Sequence, residues 1–212
     1  MNILFDIINS LNKEESRFYK LFAGRTNSGD TRKDILLFDF IKQNGEEYDE
    51  QIIAKELYQD NKNSFYQLKN RLYKDLNKSM MLQHMGKEKD IFILHFVLLS
   101  RVYKRKGNVK LSFHYLKKAE KEADNIEAYE LLSIIYSEIL KLSYDMVSIN
   151  VEKYIKKKRE NNEQLNWVQE IDLLLAAVLY RIKTAQNFST NDETVNEILQ
   201  KTLDNFSKNK KI

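Results

Sequence analysis

A chain of 212 residues without a single cysteine has no disulfide, no thiolate metal site and no cysteine nucleophile. It also lacks proline and has only five glycines, which argues against an all-β chain and favours long helices joined by short polar turns. The net charge of +4 is mild but unevenly placed: residues 62–89 carry seven basic and two acidic side chains, residues 101–121 eight and one, and residues 42–60 two and six.

Basic stretches of this kind attract nucleic acid or an acidic protein, and a solvated lysine-rich helix has the same composition. At the front, MNILFDIINS has no early lysine or arginine and Asp6 interrupts its apolar run, so it does not read as a signal peptide. The longest apolar run, residues 91–99, is nine residues and contains His95. A membrane-spanning helix needs about 20. A cytoplasmic protein with no membrane association is expected, and the lack of cysteine fits a reducing compartment.

Capping signals divide the first part of the chain. Asn12 opens a helix with Glu15 as its capping-box partner and Phe18, Leu21 and Phe22 on one face. GRTNSGD, residues 24–30, ends it. Thr31 is placed to cap a second helix, with Asp34 at the box position, and Asn44-Gly45 to close it. A third, acidic helix is expected over 49–58 with Ile52, Ile53 and Leu57. Ser64 and Gln67 form another box, opening a long helix with Phe65, Leu68, Leu72, Leu76 and Met80 at three-to-four spacing. Gly86 stops it.

After Gly86 the rhythm changes to antiparallel helix pairs. Helices are predicted at 88–106, 108–123, 126–142, 145–160, 164–187 and 191–206. Gly107-Asn108 and Asn161-Asn162 act as breaks, and Thr190 with Glu193 as the last cap. Two regions follow, a helical one over 1–86 and helix pairs over 87–212.

A repeat marks the second region. LLSRVYKRKG begins at Leu98, and LLSIIYSEIL begins 33 residues later at Leu131. In a helix hairpin a small residue at the crossing lets the helices approach, and a bulky one a turn later fills the gap beside it. Ser100 and Ser133 take the first role, Tyr103 and Tyr136 the second, with Leu98, Leu99, Leu131 and Leu132 packing on either side. Helix–turn–helix units at this period are those of tetratricopeptide arrays. Leu99, Ser100, Tyr103, Gly107, Ser112, Leu116 and Ala119 stand in an order that resembles the tetratricopeptide motif. The chain departs from it in lacking the unit-closing proline, in having Leu140 at the second turn glycine, and in spacing Tyr180 44 residues after Tyr136 in a third unit marked by Trp167 and Ala177. The chain as a whole also resembles a set of bacterial proteins in which a segment like SLNKEESRFYKLFAGR, residues 10–25, precedes helical repeats. That second resemblance implies no activity. The first implies an all-α solenoid that binds other proteins, and the Lys-rich SKNKKI at its end carries no clear terminal cap.

The first region also fits a helix-turn-helix, in which the helix over 49–58 braces and the helix from Phe65 reads DNA. Gln67, Asn70, Arg71, Lys74 and Lys78 would face base edges and phosphates. The alternative is a cap over the repeats, which would carry the same charges.

No catalytic chemistry is legible. His84, His95 and His114 form no metal motif, and neither a nucleophile elbow nor a phosphate-binding glycine loop occurs. Glu127, Glu130 and Glu138 read as solvated helix charges, and Tyr115, Tyr154 and Trp167 as packing. The expected protein is therefore no enzyme, uses no metal or cofactor, and serves as a non-catalytic scaffold that holds a peptide or helix in a concave groove. Arg101, Arg105, Tyr129 and Glu130 are the candidate contacts, and Lys104, Arg105 and Lys106 favour an acidic partner. A DNA-binding regulator is the alternative.

Overall fold

The computed structural model describes residues 3–26, 32–45, 48–59, 61–185 and 200. Among these the chain is all-α: nine helices and no strand. It divides into two compact units between Phe92 and Ile93.

The first unit holds α1 (Ile3–Ser10), α2 (Lys13–Thr26), α3 (Lys33–Asn44), α4 (Glu50–Tyr58) and α5 (Lys62–His84). Its core draws on every helix: Leu4 and Ile8 of α1, Tyr19 and Ala23 of α2, Leu37, Phe38 and Ile41 of α3, Ile53 of α4, and Phe65, Leu68, Leu72 and Leu76 of α5. The sequence pattern did not reveal α1, which has just two buried positions one turn apart. Tertiary contacts hold it. The Lys42 ammonium donates to the carbonyls of Ile8 (2.8 Å) and Leu11 (2.7 Å), satisfying acceptors that the helix end leaves open.

The predicted box at α2 forms in both directions: Asn12 N–H to Glu15 Oε2 at 2.8 Å, and Glu15 N–H to Asn12 Oδ1 at 2.9 Å. The Asp49 side chain caps α4 through Gln51 N–H. Gly45 closes α3 at φ 51°. Three expectations fail or fall outside. Thr31 lies outside the described residues. Asp34, instead of closing a capping box, bonds the Arg32 guanidinium. Ser64 does not cap α5, which begins a turn earlier with the Asn61 side chain accepting from Ser64 N–H at 3.0 Å. Ser64 donates there rather than accepts.

The second unit begins inside α6 (Lys89–Arg105) and continues through α7 (Val109–Asn125), α8 (Tyr129–Leu142) and α9 (Val151–Ala185). Ile93 and Val97 pack with Leu116, Ala119 and Ala123, and with Leu132, Ile135, Tyr136, Ile139 and Leu142. Gly107 turns the chain between α6 and α7 at φ 74°, and Asn108 caps α7 by accepting from Leu111 N–H. Where α6 crosses α7, the buried Ser100 and Ser112 hydroxyls meet at 2.8 Å. Small side chains let the helices approach, as the repeat implied, and each hydroxyl satisfies the other.

The predicted break at Asn161-Asn162 does not exist. One helix of 35 residues runs through both asparagines. Asparagine costs a helix only about 0.5 kcal/mol, and here both side chains are engaged by α8. Asn161 Nδ2 donates to the Tyr129 carbonyl at 2.9 Å, and Asn162 Oδ1 accepts from Ser133 Oγ at 3.5 Å. The start expected at 145 moves to Val151. The helix expected over 191–206, with its Thr190–Glu193 cap, lies outside the described residues apart from residue 200.

Candidate functional site

On α6, the spacing of Ile93, Val97 and Ser100 turns one face inward. The opposite side leaves Leu94, Leu98 and Val102 in water, Leu98 at 55% exposure. The leucine expected to pack beside the crossing is therefore half in solvent, and Leu99 takes the more sheltered place. Ile134 of α8 is exposed too. Arg101 joins the two helices, its Nη2 2.8 Å and Nε 3.2 Å from Glu138 Oε1. That ion pair links α6 to α8, and both helices carry exposed apolar side chains.

The four predicted contacts separate in this setting. Arg101 spends its charge on Glu138. Arg105, one turn on, is exposed, and so is Glu130. Tyr129 is half-buried against the core, its carbonyl engaged by Asn161. Lys104 is half-buried, and the Lys106 ammonium sits 5.9 Å from the centre of the Tyr103 ring. Leu94, Leu98, Val102 and Ile134 escaped sequence reasoning, because an apolar side chain in a helical pattern reads as core.

In the first unit, Gln67, Asn70, Arg71, Lys74 and Lys78 all lie exposed along one face of α5. Lys78 pairs at 3.8 Å with Asp75. That face lies opposite the buried stripe Phe65, Leu68, Leu72 and Leu76. A cleft of about 570 Å³ between α4 and α5 is lined by Glu50, Lys55, Lys62 and Tyr66 among others, and it contains none of the five.

A group of ionisable side chains in the second unit surrounds Glu120, whose carboxylate is 3% exposed. Lys117 Nζ and Lys157 Nζ each approach it at 2.5 Å, and Tyr154 OH lies at 3.4 Å. Burial pushes the Glu120 carboxyl up, but the two ammonium groups outweigh it and hold it below the ordinary carboxylate range. Burial likewise works against the Lys117 charge, and its bonds to Glu120 and Tyr154 more than offset that, raising its pKa. Tyr136 is pushed up by burial and by the nearby Asp124 and Glu120 charges. The carboxylate accepts from all three groups and ties α7 to α9.

His84 meets Glu15 at 3.0 Å, His95 is half-buried beside the Phe96 ring, and His114 packs edge-on to Tyr115. Tyr115 stacks on Tyr103 with ring centres 5.4 Å apart. Tyr154 is buried and Trp167 half-buried. Among the described residues no cluster of three or more histidines and carboxylates is placed to hold a metal ion, and no helix is long and apolar enough to cross a membrane. Comparison with protein families, with characterised proteins and with solved structures gives no match.

Proposed function

We propose that the second unit is a tetratricopeptide-like pair of stacked hairpins that serves as a non-catalytic adaptor in the cytoplasm, holding an amphipathic peptide or helix along the outer face of α6 and α8. The observation that carries this reading is the exposed apolar strip of Leu94, Leu98, Val102 and Ile134 beside the cross-helix Arg101–Glu138 pair. First helices side by side supply the groove in which such arrays bind peptides, and an apolar strip bordered by charge supplies both affinity and orientation. Arg105 and the nearby lysines favour an acidic border on the ligand. The test is capture of acidic amphipathic helical peptides by the full chain and by Leu98→Asp and Arg105→Glu. Both side chains are exposed, so the fold survives. Loss of capture in both variants supports the groove, and undiminished capture refutes it.

A second reading has one observation in its favour. The five polar and basic side chains of α5 share one solvent face, as a DNA-reading helix requires. Arg71→Glu with Lys74→Glu then abolishes a salt-dependent gel shift. A shift that survives the pair removes this reading.

A further inference from the structure

Helix α2 separates its acids from its bases. Glu14 meets Lys87 at 2.8 Å and Glu15 meets His84 at 3.0 Å, so both carboxylates are engaged at the end of α5. Lys13, Arg17 and Lys20 are spaced by four and three residues, which puts them on one face of the helix, and all three are exposed. At about 1.5 Å of rise per residue the row is roughly 10 Å long.

That row borders a groove of about 770 Å³ between α2 and α3, which Leu11 and Asn12 of the preceding turn also line. Its only carboxylate is Asp39, 2.6 Å from Lys20 Nζ. Lys42 lines the groove from α3 and keeps its full charge, because the groups it meets are the neutral carbonyls of Ile8, Asn9 and Leu11. Among the described residues no carboxylate pairs with Lys13 or Arg17. Four cations and one carboxylate leave the groove with a positive excess.

This placement does not serve the helix. Like charges four residues apart, such as Lys13 and Arg17, repel one another. Lys13 also stands in the first turn, where the helix dipole disfavours a cation and favours an anion. An anion in the groove relieves both effects.

The row selects the kind of anion. A lone carboxylate or orthophosphate reaches one or two of these cations, whereas a chain of linked phosphates carries several negative charges in line and meets them in turn. The Arg17 guanidinium is a planar fork that takes two oxygens of one phosphate, and the lysine ammonium groups act as point charges beside it. Leu21, 56% exposed at the groove, offers apolar surface to an organic group attached to the chain. The volume lies within the span of about 300–1,000 Å³ that small-ligand sites occupy.

We propose that the α2–α3 groove is a polyphosphate-binding site, in which linked phosphates lie along Lys13, Arg17 and Lys20 and Lys42 adds charge from α3. The proposal does not depend on the adaptor reading, since it concerns the first unit and a different ligand chemistry.

Isothermal titration calorimetry of the full chain at low salt tests it, with far-UV circular dichroism to confirm that each variant is folded. Sodium tripolyphosphate binds at least about tenfold more tightly than orthophosphate, and added salt weakens it. Lys13→Glu and Arg17→Glu, both at exposed positions, each weaken it by about tenfold or more, as loss of a charge-assisted hydrogen bond predicts. Lys110→Glu, the same change of net charge on α7, leaves it within about twofold. ATP in place of tripolyphosphate distinguishes the sources: tighter binding assigns the groove to a nucleotide, and equal or weaker binding to inorganic polyphosphate. No heat of binding at millimolar tripolyphosphate overturns the proposal. So does equal affinity for orthophosphate, or a Lys110→Glu loss as large as that of Arg17→Glu. A single-stranded oligonucleotide that binds more tightly than tripolyphosphate and is lost with Arg17→Glu also overturns it, by making the groove a nucleic-acid surface.

Discussion

Replacing the charges around Glu120 should invert the pH dependence of stability, and the direction follows from the burial of one carboxylate between two partly exposed ammonium groups. The Glu120 side chain is 3% exposed, whereas those of Lys117 and Lys157 are 44% and 33% exposed. Glu120→Gln keeps the volume and removes the charge. Its cost is about 2 kcal/mol, the lower end of the range for charge-assisted hydrogen bonds, because both lysines can turn to water. Lys117→Ala with Lys157→Ala does the opposite: the carboxylate stays buried without a counter-charge, which costs about 3–5 kcal/mol at neutral pH. In the parent, Glu120 titrates below its unfolded value of 4.5, so its contribution is complete above that pH and is lost as pH falls through the depressed folded value. In the double-lysine variant burial acts alone and the folded pKa rises above 4.5. The deficit against the parent then shrinks as pH falls from neutral toward 4.5. Urea unfolding followed by circular dichroism, on parent and variant in the same buffers, cancels the other carboxylates. A deficit that stays constant or widens on acidification over that window would show that Glu120 is not held by these two lysines, and the assignment of the buried cluster would fall.

Three further outcomes test the packing. At the α6–α7 crossing, Ser100→Ala strands the Ser112 hydroxyl and costs about 1 kcal/mol; Ser100→Ala with Ser112→Ala is nearly neutral, and Ser100→Leu costs about 1–3 kcal/mol through overpacking, all read as shifts in urea midpoint. Glycine-to-alanine changes differ in sign: Gly107→Ala, at φ 74° with open space around it, loses about 1 kcal/mol, while Gly24→Ala, on the exposed side of α2, gains about 0.5 kcal/mol. Asn161→Asp is nearly isosteric but replaces a donor with an acceptor facing the Tyr129 carbonyl. It costs about 3 kcal/mol at neutral pH and less in acid, measured by the same unfolding assay.

What the sequence made legible is what short-range chemistry decides. The Asn12–Glu15 box, the Gly45 closure and the Gly107-Asn108 turn each depend on residues within four positions, and each stands where its pattern places it. The small-residue crossing at Ser100 was readable because a helix hairpin constrains it. Errors arose where distant residues decide. Asn161-Asn162 looked like a break because the acceptor on Tyr129 lies 32 residues away. Asn61 and Ser64 were both able to cap α5, and the chain uses the earlier one. Arg101 read as a free cation because Glu138 lies 37 residues along. Glu120 was the lone acid in a basic stretch, and nothing local marked it as buried. Leu98 and Leu99 are adjacent and identical, so only the orientation of α6 distinguishes the half-sheltered one from the exposed one.

The second unit reverses the usual use of its side chains. Its charges are turned to internal work: Arg101 on Glu138, Lys117 and Lys157 on Glu120, and Lys158 on the Ser137 hydroxyl. Leucines, valines and isoleucines remain in water along α6, on α8 and on the far half of α9. Scattered exposed apolar residues need no explanation, but strips at helical spacing do. Arg105 and Glu130 flank the one on α6 and α8 without internal symmetry, which suits a foreign ligand with its own polarity. A ligand gains from burying the strip on α6 and α8 without displacing an internal ion pair, so binding there adds to the fold's stability rather than competing with it. If Leu98→Asp left the capture of acidic amphipathic peptides unchanged, the strip on α6 and α8 would not be the seat of a ligand, and its apolar side chains would be ordinary exposed surface.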